Sequence, residues 1–175
     1  VGNRHKEKVP HNVFRCQGEE NWVAISVEDD SQFKALARVA GNPGWADDPR
    51  FAKSEARLKH PDELELLIQE WAAGMQVQEV VQKLQNAGVP AGPVLDSAQG
   101  LSDPHMVDRG FVQYPDHSVV GPRPLGGLPW TVDGGQPGVA QSAPLFGEHN
   151  VKVLQELLQV PDIEFKRLIE SGVIA

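Results

Sequence analysis

The fold class that the sequence predicts is α+β: a small antiparallel sheet with several helices, followed by a C-terminal extended and helical tail. Three observations predict it. Val23, Ile25 and Val27 alternate onto one face, the period of a strand with one packed side. Separate stretches around Phe33, Leu64, Val77 and Leu154 carry apolar residues at helical spacing, most of them closed by glycine. Between the third of these and the rest of the chain lies Asn86-Ala87-Gly88-Val89-Pro90-Ala91-Gly92-Pro93-Val94-Leu95. There Gly88 ends a helix, and two prolines push Val89 and Ala91 into extended geometry, so a short strand or buried arm crossing the core is expected.

In chain order, residues 4–8 form a basic polar loop closed by Val9-Pro10. Val13–Cys16, the turn at Gln17–Asn21 and Trp22–Val27 then read as strand, turn, strand. A helix with Phe33, Leu36, Ala37 and Ala40 inward follows, with Asp30 or Ser31 as its cap and Gly41 as its stop. Asn42–Trp45 is a turn, and Ala46–Phe51 a polar loop pinned by Trp45 and Phe51. The helix from Pro61 is the clearest: proline suits its first turn, Asp62 and Glu63 complement its positive end, and Leu64, Leu67, Ile68 and Trp71 sit at core spacing. Burying those four contributes roughly 6–12 kcal/mol as an upper bound, against about 1 kcal/mol for a cap, so packing holds this helix. Gly74 separates it from a helix beginning near Val77.

Beyond Leu95, a short helix is expected at Asp96–Leu101 and another at Pro104, capped by Ser102 or Asp103 and stopped by Gly110. Phe111–Tyr114 reads as a strand and Asp116–Gly121 as strand and turn. From Gly121 to Gly147, proline and glycine interrupt Leu125, Leu128, Trp130 and Val132, a pattern suited to lying across another surface. A helix capped by Asn150 should turn Val151, Leu154, Leu157 and Leu158 inward, and a last helix carries Ile163, Leu168 and Ile169.

Composition narrows the function classes. The 175 residues are 40% hydrophobic and 23% charged, enough for a domain with a real core. A net charge of −8 argues against nucleic acid as a partner. No apolar run is long enough to cross a bilayer, so no membrane partner is expected. Cys16 stands alone, which fits a reducing compartment and a cytoplasmic location. The opening Val1-Gly2-Asn3-Arg4-His5 is neither a signal peptide nor a helix start, and reads as the middle of something longer.

Signatures of chemistry are sparse. Gly126-Gly127 and Gly134-Gly135 lack the spacing of a dinucleotide fingerprint, and neither a phosphate-binding P-loop nor a Gly-x-Ser-x-Gly elbow occurs. The six histidines are scattered without metal-ligand spacing, and His105 and His149 stand at helix starts. Neither a catalytic residue nor a metal ligand is assigned on these grounds.

Five stretches in order carry a resemblance: Gly2-Asn3-Arg4-His5, Asp48-Pro49-Arg50-Phe51, Ala87–Val94, Asp103-Pro104-His105 and Pro144-Leu145-Phe146-Gly147-Glu148-His149-Asn150. Together they resemble the carboxy-terminal half of the family III CoA-transferases, which include formyl-CoA:oxalate and carnitine CoA-transferases, with α-methylacyl-CoA racemases as relatives. The resemblance implies a large Rossmann-like domain built from both chain ends, a small inserted domain and an interlocked homodimer. It implies transfer of CoA between carboxylic acids through an aspartyl anhydride, with coenzyme A as co-substrate and acyl-CoA and a carboxylic acid as partners. By the resemblance, residues 1–8 are a loop from an N-terminal domain that lies outside this sequence. Residues 9–120 are the small, substrate-covering α+β domain, and residues 121–175 a tail returning to the large domain. The nucleophilic aspartate belongs to the part not present here.

Gly2, Asn3, Arg4, His5, Lys6 and Lys8 then fall where a mobile loop approaches CoA, and Val27, Glu28 and Asp29 at a strand end near it. The glycines of formyl-CoA transferases are replaced here by Arg4-His5-Lys6-Glu7-Lys8, which disfavours an oxalate enzyme. Arg4, Lys6 and Lys8 could instead attract CoA phosphates or an acidic acyl group. The alternatives are a racemase-like relative and a stand-alone, non-catalytic binding or interaction module.

Overall fold

The computed structural model describes residues 2–135, 138–139 and 141–175. The chain divides into two compact units, Val1–Asp96 and Ser97–Ala175. In the first, β1 (His11–Arg15), β2 (Trp22–Ser26) and β3 (Ala91–Val94) form an antiparallel sheet in the order β1-β2-β3. Its helices are α1 (Asp30–Val39), α2 (Ser54–Arg57), α3 (Pro61–Ala73) and α4 (Val77–Asn86).

The alternation in β2 places Val23 and Ile25 in a core with Phe14, Phe33, Leu36, Phe51, Leu64, Ile68, Val80 and Leu84, all essentially inaccessible to solvent. Within α3, Leu64 and Ile68 are fully buried, whereas Leu67 and Trp71 are only partly covered. Those two buried side chains therefore contribute roughly 3–6 kcal/mol. The stretch after α4 is an edge strand rather than an arm crossing the core. An edge tolerates Pro90 and Pro93 because no partner asks for their missing amides. Gly88, at φ +77°, ends α4 with a paired cap: its amide donates to the Gln85 carbonyl and that of Val89 to Leu84, both at 2.9 Å. The other edge is also covered, since the Gln69 amide accepts from the Arg15 N–H at 2.9 Å and donates to the Arg15 carbonyl at 2.8 Å.

Asp29, not Asp30 or Ser31, caps α1, its carboxylate accepting from the Gln32 N–H at 2.8 Å. Asp30 instead turns to Arg57, a guanidinium 1% exposed that lies 3.0 Å from it. Arg57 also donates to the carbonyls of Val9 and Phe51, each at 2.9 Å, and stacks on the Phe33 ring. One buried cation thus ties three separate segments together.

The second unit holds α5 (Ser97–Ser102), α6 (Pro104–Asp108), β4 (Val112–Gln113), β5 (Leu125–Gly126), a π-helical stretch (Val151–Leu157) and α7 (Asp162–Glu170). Asp103 caps α6 through the His105 and Met106 amides. β4 pairs antiparallel with β5. Asp116–Gly121 does not form the expected strand. The His117 imidazole accepts from the Val119 and Val120 amides, and the Gly121 amide returns to the His117 carbonyl, curling the segment into a turn. Asn150 does not cap the next helix; it is already helical and donates instead to the Ala175 carbonyl at 2.6 Å. Nor do Val151, Leu157 and Leu158 turn inward, being 50%, 69% and 65% exposed. Among the described residues no helix is long and apolar enough to cross a membrane.

Candidate functional site

The sheet has a second face. Because Val23, Ile25 and Val27 point to the core, Ala24 and Ser26 point away from it, and register places Val13 and Gly92 opposite Ala24 and His11 opposite Ser26. His11, Val13, Ala24, Ser26 and Gly92, with Asn3 and Pro90, line an open concavity of about 470 Å³. Its floor is small and apolar; its polar groups are Asn3 and a His11–Ser26 pair joined Nδ1 to Oγ at 2.9 Å, while Asn12, in phase with Ile25, turns its side-chain oxygen to the Val13 amide. The His5 ring sits 5.3 Å from that of His11. Among the described lining residues there is no Asp, Glu, Lys or Arg.

Chemically, such a lining can donate to and accept from a carbonyl or amide while its floor covers aliphatic carbon. No lining side chain is a carboxylate that could attack an acyl group.

The residues singled out in the sequence all lie in the first unit, but they play different parts. Gly2 stands at φ +54° and Asn3 reaches the concavity. Arg4 turns away from it, its fork gripping Glu65 at 2.7 Å and Asp62 at 2.5 Å on α3. Those two carboxylates hold its guanidinium protonated far beyond any physiological pH. The His5 Nδ1 accepts from the Glu7 amide at 3.1 Å, and Lys6 is exposed. Lys8 is ion-paired with Glu28, Val27 is buried, and Asp29 is the cap of α1. Lys8, Val27, Glu28 and Asp29 are therefore brought together, whereas Arg4 is drawn to another helix.

Sequence reasoning passed over His11, Ala24, Ser26 and Gly92. The signal was present in β2, where the residues out of phase with Val23, Ile25 and Val27 are unusually small, Ala24 and Ser26. A half-sheet of small residues leaves room where a large one would fill it.

Of the stretches that carry the resemblance, Gly2–His5 and Ala87–Val94 supply Asn3, Pro90 and Gly92 to the concavity, whereas two others are held by local contacts. In Asp48–Phe51, Arg50 bridges Asp48 at 2.7 Å and Glu63 at 2.5 Å while Phe51 is fully buried. That guanidinium holds the Asp48 carboxyl below the usual aspartate range. In Pro144–Asn150, Gly147 sits at φ +75° and Glu148 accepts from the Leu145 amide at 2.6 Å.

Comparison with known proteins places this architecture. A formyl-CoA:oxalate CoA-transferase of Streptomyces avermitilis is 33% identical over 175 residues, covering 99% of this chain and 42% of the relative. A succinyl-CoA–D-citramalate CoA-transferase of Chloroflexus aurantiacus is 28% identical over 174 residues, covering 99% and 43%. Among solved structures, a CaiB/BaiF family protein from Brucella suis superposes with a TM-score of 0.75 at 25% identity, over 90% of this chain and 40% of that one. The chain thus spans about two fifths of the length of these relatives. The sequence profile of CoA-transferase family III matches residues 1–150, and the chain belongs to that family.

Proposed function

We propose that this chain is the carboxy-terminal part of an enzyme that moves CoA between carboxylic acids, and that it covers the acyl group rather than attacking it. In this reading acyl-CoA and a carboxylic acid are the substrates of the larger protein. An aspartate carried outside these residues attacks the thioester carbonyl, the C–S bond breaks, and an aspartyl anhydride forms as CoA leaves as a thiolate. The observation that supports the covering role is the concavity on the free sheet face, reached by Asn3 and lined without any ionised carboxylate or ammonium. A substrate that must be positioned but not attacked needs hydrogen-bonding edges and an apolar floor, which is what this face offers.

The exposed apolar residues of the second unit, Phe146 at 93% and Ile163 at 84% among them, support a tail that lies on further protein, from the same chain or from a second copy in a homodimer. The lone buried Cys16, whose thiol burial pushes up, suits a reducing cytoplasm.

Titration of acetyl-CoA into the 175-residue chain by calorimetry tests the division of labour. Binding no tighter than about 0.1 mM, with no acyl exchange, is expected. A dissociation constant below about 10 µM, or turnover by this chain alone, refutes it.

A further inference from the structure

We infer that the concavity on the free face of the sheet accepts an uncharged acyl thioester, and discriminates against acyl groups that carry a second carboxylate. The inference rests on the covering role proposed above and adds a substrate class to it.

Charge decides the matter. A carboxylate laid against this apolar floor would give up part of its water, and a cation nearby would be needed to offset that loss. The described lining offers Asn3, Asn12, His11 and Ser26, with no lysine or arginine. The two cations of the preceding loop that hold partners are already committed, Arg4 to Asp62 and Glu65, and Lys8 to Glu28. Lys6 is exposed and does not line the recess. An aliphatic acyl group meets the opposite conditions. Ala24, Gly92 and Val13 give it an apolar floor, and the amide of Asn3 and the His11–Ser26 pair can take its thioester carbonyl and the amide behind it. A volume of about 470 Å³ is within the range of small-molecule sites.

Gly92 sets the depth of this floor. It pairs with Ala24, and a Cβ built on it meets nothing within 4 Å, so a methyl added there takes up space in the recess without a clash.

The test uses two probes on the 175-residue chain, S-butyryl-N-acetylcysteamine and S-succinyl-N-acetylcysteamine, followed by amide chemical shifts in two-dimensional NMR. The expected result is saturable shifts at His11, Ala24, Ser26 and Gly92 with the butyryl probe, and binding of the succinyl probe about tenfold weaker or more. Gly92→Val should weaken butyryl binding about fivefold or more while leaving the core amides of Val23 and Ile25 in place, and Gly92→Ala should do so to a smaller degree should the valine variant misfold. Equal or tighter binding of the succinyl probe overturns the substrate class and leaves the covering role standing. Absence of shifts at those four amides with either probe up to about 10 mM overturns the covering role itself. Butyryl binding unchanged in a folded Gly92 variant overturns the location.

Discussion

The two units of this chain differ in where their apolar surface lies. In Val1–Asp96 the large aliphatic and aromatic side chains converge on one core, with Phe33, Phe51, Leu64, Ile68 and Leu84 fully inaccessible. In Ser97–Ala175 the one buried hydrophobic residue among those described is Val112, while Tyr114, Trp130, Phe146, Leu157, Leu158 and Ile163 are all more than half exposed. Local structure differs as well: the first unit has α-helices of 10, 13 and 10 residues, the second two-residue strands, short helices and a π-helical stretch. What separates the units most clearly is whether their apolar faces find each other.

The sharpest way to break that contrast is at Arg57. Its guanidinium is buried with Asp30, the Val9 carbonyl and the Phe51 carbonyl as partners. Arg57→Met keeps the bulk but leaves those acceptors unpaired, and about 3–5 kcal/mol of the first unit's stability should be lost in urea unfolding. Next in size is Ile68→Ala, expected to cost about 2–5 kcal/mol because the cavity opens in a fully packed layer. A loss below about 1 kcal/mol there would show that the core is looser than its burial indicates.

Acid probes the same junction more gently. Burial acts to raise the Asp30 pKa, but Arg57 and Lys53 outweigh it and hold the carboxyl below the ordinary aspartate value. A folded-state pKa depressed in this way contributes stability above the unfolded value, near about 4, which is lost as pH falls through the folded value. Stability against pH should therefore drop more steeply below about pH 4 in the native chain than in Asp30→Asn. Smaller again is the cap: Asp29→Ala should cost about 1 kcal/mol, seen as faster amide exchange in the first turn of α1.

Much of the first unit was legible because its signals are local and agree with its packing. The alternation of Val23, Ile25 and Val27, the Pro61 start and the Gly88 stop each name an element without reference to the rest of the chain. The cap of α1 falls one residue before the expected Asp30 or Ser31 because Asp29, Asp30 and Ser31 can each serve as a cap. The choice between them depended on Arg57, which lies twenty-seven places from Asp30 in sequence and was not visible as its partner. Among the site residues, the basic run Arg4-His5-Lys6-Glu7-Lys8 suggested free cations, yet α3 supplies two carboxylates to Arg4 and the end of β2 leads to the one that holds Lys8. The concavity is harder still to read. It is defined by small side chains on β2 and β3 beside His11 and Val13 of β1, and only the register of the sheet brings His11, Ala24 and Gly92 together.

The smallest expected effect is the most informative about the second unit. Leu157→Ser replaces a side chain 69% exposed, and Phe146→Ser one that is 93% exposed. Within the described chain Phe146 packs on almost nothing and Leu157 is only partly covered, so each should change stability by about 0.5 kcal/mol or less. A buried leucine or phenylalanine in the first unit would cost several times that. In a longer protein that provides a covering surface, the same two substitutions should instead destabilise the assembly or release this unit from it, because the apolar area is then removed from water only in the complete form. Thermal unfolding of the two variants in both contexts reads the difference directly. An equal, near-zero effect in the longer protein would mean that these side chains face solvent there as well, and the tail would then owe nothing to a covering partner.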